Sequence, residues 1–285
     1  MTEKRVQIGK FNRLAVIREA NFGVYLDGLQ FDDIVLPKRF VPDNCQVGEL
    51  LDVFVYLDSD DCLIATTLKP FAQVGEFAHL KVKEVNAVGA FMDWGLPKDL
   101  LCPFGVQKIK MAEGKSYIVC LYQDEYTRRI VASSKLNKFL STDKPRYKSG
   151  ESVSLLVSGR TDLGYTAIIN NRHEGLIFEN DIQSAIHIGD EINGFIKRVR
   201  SDGKIDLSLK KIGYDKDVMH QLEQAIMECL EKEKGFFPMN DRSSPELIKK
   251  NFNVSKRAFK MALGGLYKQR KIIIEKEGIR LLSSC

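Results

Sequence analysis

Lysine and arginine side chains are concentrated near the C-terminus, in a pattern suited to binding phosphate groups. From Ser243 to Cys285 the sequence contains ten Lys or Arg and three Asp or Glu residues, a local charge of +7. Because the whole chain carries +5, residues 1–242 carry −2. A local excess of positive charge of this kind attracts nucleic acid or another polyanion.

Several of these cations have the spacing of one helix face. Lys256, Lys260 and Lys268 lie four and eight residues apart, with Arg257 beside them. Lysines that reach phosphates supply affinity without reading base sequence. An ordinary solvated helix face is the alternative. We predict a nucleic-acid-binding surface made of Lys256, Arg257, Lys260, Lys268, Lys271 and Arg280.

The sequence lacks the residue groupings that enzymatic sites need. No clustered set of Asp and Glu, and no His and Lys constellation, is suited to metal-assisted hydrolysis. The six cysteines are scattered without a Cys-x-x-Cys pair, and the four histidines are isolated. We therefore predict a protein without enzymatic activity, catalytic residues, metal or cofactor.

An internal repeat occupies the first two thirds of the chain. Glycines and a lysine recur with spacings of 14, 25 and 21 residues in three copies. The markers are Gly9, Gly23, Gly48 and Lys69; Gly75, Gly89, Gly114 and Lys135; and Gly150, Gly164, Gly189 and Lys210. Such periodicity predicts three copies of one folding unit.

Each copy contains five short segments typical of β-strands. The segment after the first glycine alternates apolar and polar residues, as in Phe11–Arg18 and Phe77–Val85. The second glycine lies inside an apolar run, where it marks a bulge or a close backbone approach. Five strands in about 60 residues, curled by glycines, predict a small closed barrel of the OB-fold type.

The pattern becomes helical after the third copy. Apolar residues recur with a 3.6-residue period from Val218 towards Gly235, which is a plausible helix end. Ser244 followed by Pro245 predicts the start of a short helix, and Ser255 the start of a longer one. The segment after Lys271 predicts a hairpin that turns at Lys276–Gly278. This order is that of a winged helix-turn-helix domain.

These patterns predict a mainly β multidomain protein. Three tandem five-stranded OB-fold barrels are expected at residues 1–70, 71–139 and 146–212, followed by an α/β winged helix-turn-helix domain at 215–285. The chain shows no signal-peptide core and no run approaching 18 apolar residues. We expect a cytoplasmic protein without membrane contact.

The repeat resembles the S1-type RNA-binding repeat of bacterial ribosomal and RNA-decay proteins. The resemblance rests on Phe22-Gly-Val-Tyr-Leu-Asp27, on Val47-Gly-Glu49 and on the closing Ile205-to-Lys210 segment of copy three. Three such repeats before a basic helical tail are similar in order to the bacterial conserved virulence factor B family. The resemblance implies a regulatory RNA-binding protein that affects virulence-factor expression.

The resemblance also implies which side chains of copy one meet RNA. Phe22 and Tyr25 occupy the positions of the family's two stacking aromatics, and Lys38 and Arg39 follow the third strand, where they could meet phosphates. In a regular strand one of two aromatics three residues apart points inward. The alternative is therefore that they belong to the barrel core, although a bulge at Gly23 would bring both onto one face.

The other two copies depart from this pattern. Copy two keeps Phe91 but has Val88 in place of the other aromatic; Lys81, Lys83 and Arg129 are its basic candidates. Trp94 either replaces the missing ring or packs on a neighbouring domain. Copy three has neither aromatic, so it could serve as a spacer or as a protein-contact domain.

The function predicted from these observations is post-transcriptional regulation through single-stranded RNA. RNA would be held by aromatic stacking and phosphate contacts, and duplex nucleic acid is a second partner through the winged helix. Two alternatives stay open: a DNA-binding transcription regulator that acts through the winged helix, and a protein-interaction scaffold. The sequence does not predict an oligomeric state.

Overall fold

The computed structural model describes residues 5–182, 184–210 and 216–282, with side chains from residue 219 onward in the last range. The chain divides into two compact units, which meet in sequence at Lys210 and Lys211. The predicted boundary at residues 212–215 lies outside the described residues. Within the described ranges, no helix is long and apolar enough to cross a membrane.

The first barrel of the first unit is closed. Its strands are β1 (Phe11–Ala20), β2 (Gly23–Leu26), β3 (Ile34–Pro37), β4 (Leu50–Leu57) and β5 (Leu63–Thr66). They follow the order β1-β2-β3-β5-β4, and β4 pairs with β1 to close the barrel. Strands β3 and β5 are parallel and the other pairs are antiparallel. This is the predicted OB-type barrel.

The second and third barrels repeat this topology. The second consists of β6 (Phe77–Val85), β7 (Gly89–Asp93), β8 (Leu100–Pro103), β9 (Ser116–Gln123) and β10 (Ile130–Ser133). The third consists of β11 (Ser152–Thr161), β12 (Gly164–Ile169), β13 (His173–Phe178), β14 (Glu191–Val199) and β15 (Ile205–Ser208). The third is closed, whereas the second is an open sheet with β8 and β10 at its edges, nearly closed. The predicted fold class is confirmed.

Strand pairing corrects one marker of the repeat. Phe54 pairs with Thr66, and the equivalent Cys120 and Phe195 pair with Ser133 and Ser208. The counterpart of Lys135 and Lys210 is therefore Leu68, and the alignment of Lys69 with them is wrong by one residue. The reason is that the β4–β5 segment is one residue shorter than its two counterparts.

The glycine that begins β2 is required by a close backbone contact. A Cβ atom on Gly23 would lie 2.1 Å from the carbonyl oxygen of Leu36, and the residue has φ +155°. The bulge lies on the neighbouring strand β1, between Val16 and Arg18. Of the two roles considered for this glycine, a bulge or a close backbone approach, the structure supports the close approach.

Apolar clusters join consecutive barrels. Phe54 and Tyr56 of barrel one belong to the same cluster as the core of barrel two. Phe77 and Ile118 of barrel two pack with Leu156 of barrel three. The three predicted barrels are thus packed into one compact unit, and their division into three separate domains stays a prediction.

The second unit has three helices and a small sheet. Its elements are α1 (Lys216–Lys232), β16 (Phe236–Phe237), α2 (Pro245–Phe252), α3 (Lys256–Lys268), β17 (Ile272–Ile274) and β18 (Ile279–Leu281). The Oγ atoms of Ser244 and Ser255 accept backbone N–H groups at the starts of α2 and α3, as predicted. The sheet order is β16-β18-β17, so the predicted hairpin is joined by a third short strand.

Candidate nucleic-acid interface

The two aromatic residues of barrel one both lie on the outside of the barrel. Phe22 lies in the turn before β2 and is 54% exposed, while Tyr25 is half-buried within β2. Their ring centroids are 5.7 Å apart in an edge-to-face arrangement. Val24 and Leu26 supply the inward-facing side chains of β2. The two rings share a face because Phe22 precedes the strand and escapes its alternation.

Arg18 is part of this surface although the sequence did not single it out. Its guanidinium carbon lies 3.2 Å from the centroid of the Tyr25 ring, and Nη2 lies 3.3 Å from Oδ2 of Asp33. Arg18 stands directly opposite Tyr25 in the β1–β2 ladder. A cation over an aromatic face is stabilising and holds the ring in place. A prediction of the β1–β2 hairpin register from the sequence could have identified Arg18, because that register puts it opposite Tyr25.

Lys38 and Arg39 lie beside the aromatic pair. They begin a single 3₁₀ turn that follows β3, and both are exposed. The backbone N–H of Lys38 donates a hydrogen bond of 2.8 Å to the carbonyl of Phe22. The structure therefore brings the four predicted residues of copy one to the same end of the barrel. Together with Arg18, they form what we call the barrel-one face.

The predicted cations of barrel two are partly engaged. Lys81 is exposed, whereas Lys83 pairs with Asp99 at 2.7 Å. Nε and Nη2 of Arg129 each donate a 2.6 Å hydrogen bond to the carboxylate of Asp61 in barrel one. These bonds hold the pKa of Asp61 below its usual value. An RNA contact by Arg129 stays a prediction, and it would require the side chain to leave Asp61.

Trp94 packs between the first two barrels. The side chain is 2% exposed, and its ring lies 5.7 Å from Phe54 and 6.3 Å from Tyr56 of barrel one. The indole N–H donates to the carbonyl of Lys98. Of the two roles considered for Trp94, the structure supports packing on a neighbouring barrel. Phe91, which is half-buried, lines a cavity beside it.

Barrel three carries a charged surface in place of the family aromatics. Phe178 is half-buried, with the Lys197 ammonium 5.9 Å and the Arg200 guanidinium 5.8 Å from its ring centroid. The buried carboxylate of Asp206 accepts hydrogen bonds of 2.6 Å from Arg198 and 2.9 Å from Arg200. Burial opposes ionisation of Asp206, but these two hydrogen bonds outweigh it and lower its pKa.

The predicted cations of the winged helix fall into two groups. Lys256 donates to the carbonyl of Arg242, Lys260 lies 3.6 Å from Asp241, and Arg280 pairs with Glu275 at 2.8 Å. Arg257, Lys268 and Lys271 are exposed. Met261 and Tyr267 are also exposed on α3, at 50% and 57%. The exposed side chains of α3 are therefore partly basic and partly apolar or aromatic, whereas the lysine spacing alone predicted a basic face.

Within the parts of the chain that the structure describes, no group of three or more His, Cys, Asp or Glu side chains is arranged to hold a metal ion.

Two family models match the chain. The S1 domain model matches residues 8–68, which contain the barrel-one face, and the CvfB-like winged helix domain model matches residues 224–281. A protein named Conserved virulence factor B from Staphylococcus saprophyticus is 25% identical, over 96% of this chain and 94% of its own. In sequence the chain is therefore similar to the conserved virulence factor B proteins over most of its length.

Further proteins show a comparable extent of similarity. The Staphylococcus aureus N315 protein named Conserved virulence factor B is 28% identical over 84% of this chain and 81% of its own. An uncharacterized protein of Bacillus subtilis, YitL, is 25% identical over 92% and 89% of the two chains. A crystal structure from Streptococcus pneumoniae, described as a multidomain protein with nucleic acid binding domains, is 25% identical. It covers 96% of this chain and 98% of its own, with a TM-score of 0.41.

The S1 and winged-helix domain matches indicate a nucleic-acid-binding protein. The absence of enzymatic activity stays a prediction.

Proposed function

We propose that the protein binds single-stranded RNA on the barrel-one face and regulates gene expression after transcription. The observation that carries this proposal is the exposed Phe22 ring against the half-buried Tyr25 ring, with the exposed Lys38 and Arg39 directly after the strand that pairs with β2. Aromatic side chains next to a positively charged surface are the combination that holds single strands in OB-folds. The match of the S1 domain model to this barrel supports the same assignment.

Each side chain of the face has a defined role in this proposal. Phe22 offers the more exposed ring, and Tyr25 extends the stacking surface; base–aromatic stacking contributes about 1–3 kcal/mol per base. Arg18 holds the Tyr25 ring and adds positive charge. Lys38 and Arg39 contact phosphates. Because such contacts follow the backbone and the ring faces, we expect weak sequence preference.

The winged helix provides a second phosphate-binding surface in this proposal. Arg257, Lys268 and Lys271 are exposed, and a winged helix commonly places its last helix against nucleic acid. Met261 and Tyr267 are exposed on α3, and neither reads a base edge with two hydrogen bonds. Arg257 is the side chain of α3 that is suited to such bidentate base readout. Binding by charge without strong sequence selection therefore fits α3 better than specific DNA reading.

The test is a fluorescence anisotropy titration with a labelled RNA single strand of about 12 nucleotides, within the range one OB-fold covers. Phe22→Ala and Tyr25→Ala are each expected to weaken binding about 5- to 150-fold, the equivalent of one lost base stack. The matched control is Tyr126→Ala. Tyr126 is 95% exposed but stands in a turn beside Asp124 and Glu125, so its removal is expected to leave affinity unchanged.

The same titration at two salt concentrations measures the phosphate contacts. For single strands the slope of log affinity against log salt is about −0.7 per phosphate contacted. Lys38→Gln and Arg39→Gln should each make the slope less steep by about that amount. Full affinity in Phe22→Ala and Tyr25→Ala would contradict the proposal. Displacement of the RNA by an equal concentration of duplex DNA would instead favour a DNA-binding regulator.

A further inference from the structure

A small cavity of about 180 Å³ lies between the first two barrels. Barrel one contributes Tyr56 and Leu57 to its walls, and barrel two contributes Phe91, Trp94 and Leu101. Lys98 and Arg129 are the cationic residues of its lining. Both are fixed by contacts across the same junction, because Lys98 donates to the carbonyls of Leu57 and Asp58, and Arg129 pairs with Asp61.

The cavity lies where barrel two lacks a ring that barrel one possesses. Phe22 and Tyr25 of barrel one form an edge-to-face pair, and their counterparts in barrel two are Val88 and Phe91. Val88 and Phe91 both line the cavity. Because valine is smaller than an aromatic ring, Val88 leaves an unfilled space beside the Phe91 ring, where Phe22 would lie in barrel one. In barrel two Tyr56 and Leu57 of barrel one form the other wall of this space, so it becomes a slot that is partly open to solvent.

The size and lining of the slot restrict what it can hold. Pockets for drug-sized ligands have volumes of roughly 300–1,000 Å³, so this cavity suits a single small ring system. Its aromatic walls favour a flat, π-rich ring, since rings pair at centroid distances of about 4.5–7 Å. The charged side chains of its lining, Lys98, Arg129 and Asp99, favour a ring that carries polar edge atoms.

We propose that this cavity between barrels one and two binds a single nucleobase of the RNA strand, which takes the place of the missing aromatic ring beside Phe91. The inference rests on the proposed RNA-binding function and adds to it a base-holding slot that neither barrel forms alone. A base in the slot contacts both barrels, whereas a base on the barrel-one face stacks on one barrel alone.

The protein contains its own reporter of this site. Trp94 is the only tryptophan of the chain, and it lines the cavity. We expect adenosine 5′-monophosphate to quench or shift Trp94 emission in a saturable manner. The RNA strand of about 12 nucleotides should do so at lower concentration, because the barrel-one face adds to its affinity.

Two substitutions at equivalent turn positions provide the comparison. Val88→Phe restores the missing ring and fills the slot, so it should abolish the Trp94 response to both probes while anisotropy still detects the RNA strand. Leu163→Phe is the matched control, since Leu163 occupies the same position in barrel three and has similar exposure, 61% against 57% for Val88. It should leave the Trp94 response unchanged.

Phe91→Leu removes the stacking partner without adding bulk and should weaken the Trp94 response at least about fivefold.

The possible outcomes separate the slot from the wider function. RNA that binds by anisotropy without altering Trp94 emission would overturn the slot and leave the barrel-one face intact. An unchanged response in both Val88→Phe and Phe91→Leu would overturn it as well. Failure of the RNA strand to bind wild-type protein would overturn the proposed function and the slot together.

Discussion

Asp206 is the buried carboxylate on which the charged surface of barrel three depends. It is 2% exposed and accepts hydrogen bonds from Arg198 and Arg200. A carboxylate in this position stays ionised only because its two cationic partners offset the cost of burial. The pair of arginines is thereby held against strand β15, with Arg200 near the Phe178 ring.

We predict that Asp206→Asn lowers the free energy of unfolding at pH 7 by roughly 1–3 kcal/mol, the cost of weakening charged hydrogen bonds at a buried group. The folded-state pKa of Asp206 is lowered. Its contribution is therefore fully present above the unfolded-state pKa of about 3.9, and it is lost as pH falls through the folded-state value. The difference between wild type and variant should thus be constant near neutrality and shrink below about pH 4.

Urea unfolding followed by circular dichroism at several pH values measures this difference. The exposed Asp162, in the β11–β12 turn, supplies the control variant Asp162→Asn, for which no comparable loss is expected. A deficit for Asp206→Asn that persists undiminished at pH 3 would show that shape, rather than charge, accounts for the effect.

At the scale of elements, α3 contains a pair of glycines with different surroundings. A Cβ on Gly264 would meet nothing within 4 Å, whereas a Cβ on Gly265 would lie 2.2 Å from a carboxylate oxygen of Glu223. Glycine inside a helix costs about 1 kcal/mol relative to alanine. Packing inside the protein therefore explains a small residue at 265 but not at 264.

Gly264→Ala is expected to stabilise the second unit by about 0.4–1 kcal/mol, since alanine has higher helix propensity and restricts the unfolded chain. Gly265→Ala should gain less, because the Glu223 side chain must move. Thermal unfolding of the two variants, followed by the helical circular dichroism signal, gives the comparison. A gain in stability accompanied by weaker nucleic-acid binding for Gly264→Ala would place the ligand against this turn of α3.

At the scale of the whole molecule, the outer faces of equivalent strands differ in chemistry from barrel to barrel. Tyr56 and Ile64 of barrel one pack on the core of barrel two. Counted from the equivalent pairs Phe54–Thr66 and Phe195–Ser208, the same positions in barrel three hold Lys197 and Asp206. An apolar face therefore joins barrel one to its neighbour, whereas the same face of barrel three is charged.

We predict that Trp94→Ala lowers the stability of the first unit by about 3–5 kcal/mol, as expected for removal of a buried aromatic. Asp61→Asn, which breaks the Asp61–Arg129 pair, should cost far less stability than Trp94→Ala, because both side chains are roughly half exposed and water screens such pairs. Differential scanning calorimetry compares the two, and the transition of the second unit is the internal reference. Equal losses for both variants would mean that the ion pair, not apolar contact, joins the barrels.

The features of the fold that sequence could predict depend on neighbours in the chain. Alternation located the strands, and Ser244 and Ser255 located two helix starts, because strand faces and helix caps are set by residues within a few positions. The glycine spacing identified three barrels. The alignment of Lys69 with Lys135 and Lys210 failed, because a one-residue difference in a hairpin cannot be detected until strands are paired.

What the sequence by itself determined is the order of three S1-type barrels and a winged helix, and the aromatic and basic residues that mark barrel one. Only the tertiary structure decided what each side chain meets. It placed Arg18 over Tyr25, Arg129 on Asp61 and Trp94 between two barrels. The reason is physical: the partners of Arg129 and Trp94 lie about 40 to 70 residues away in sequence, and no local pattern records which surfaces meet when barrels pack.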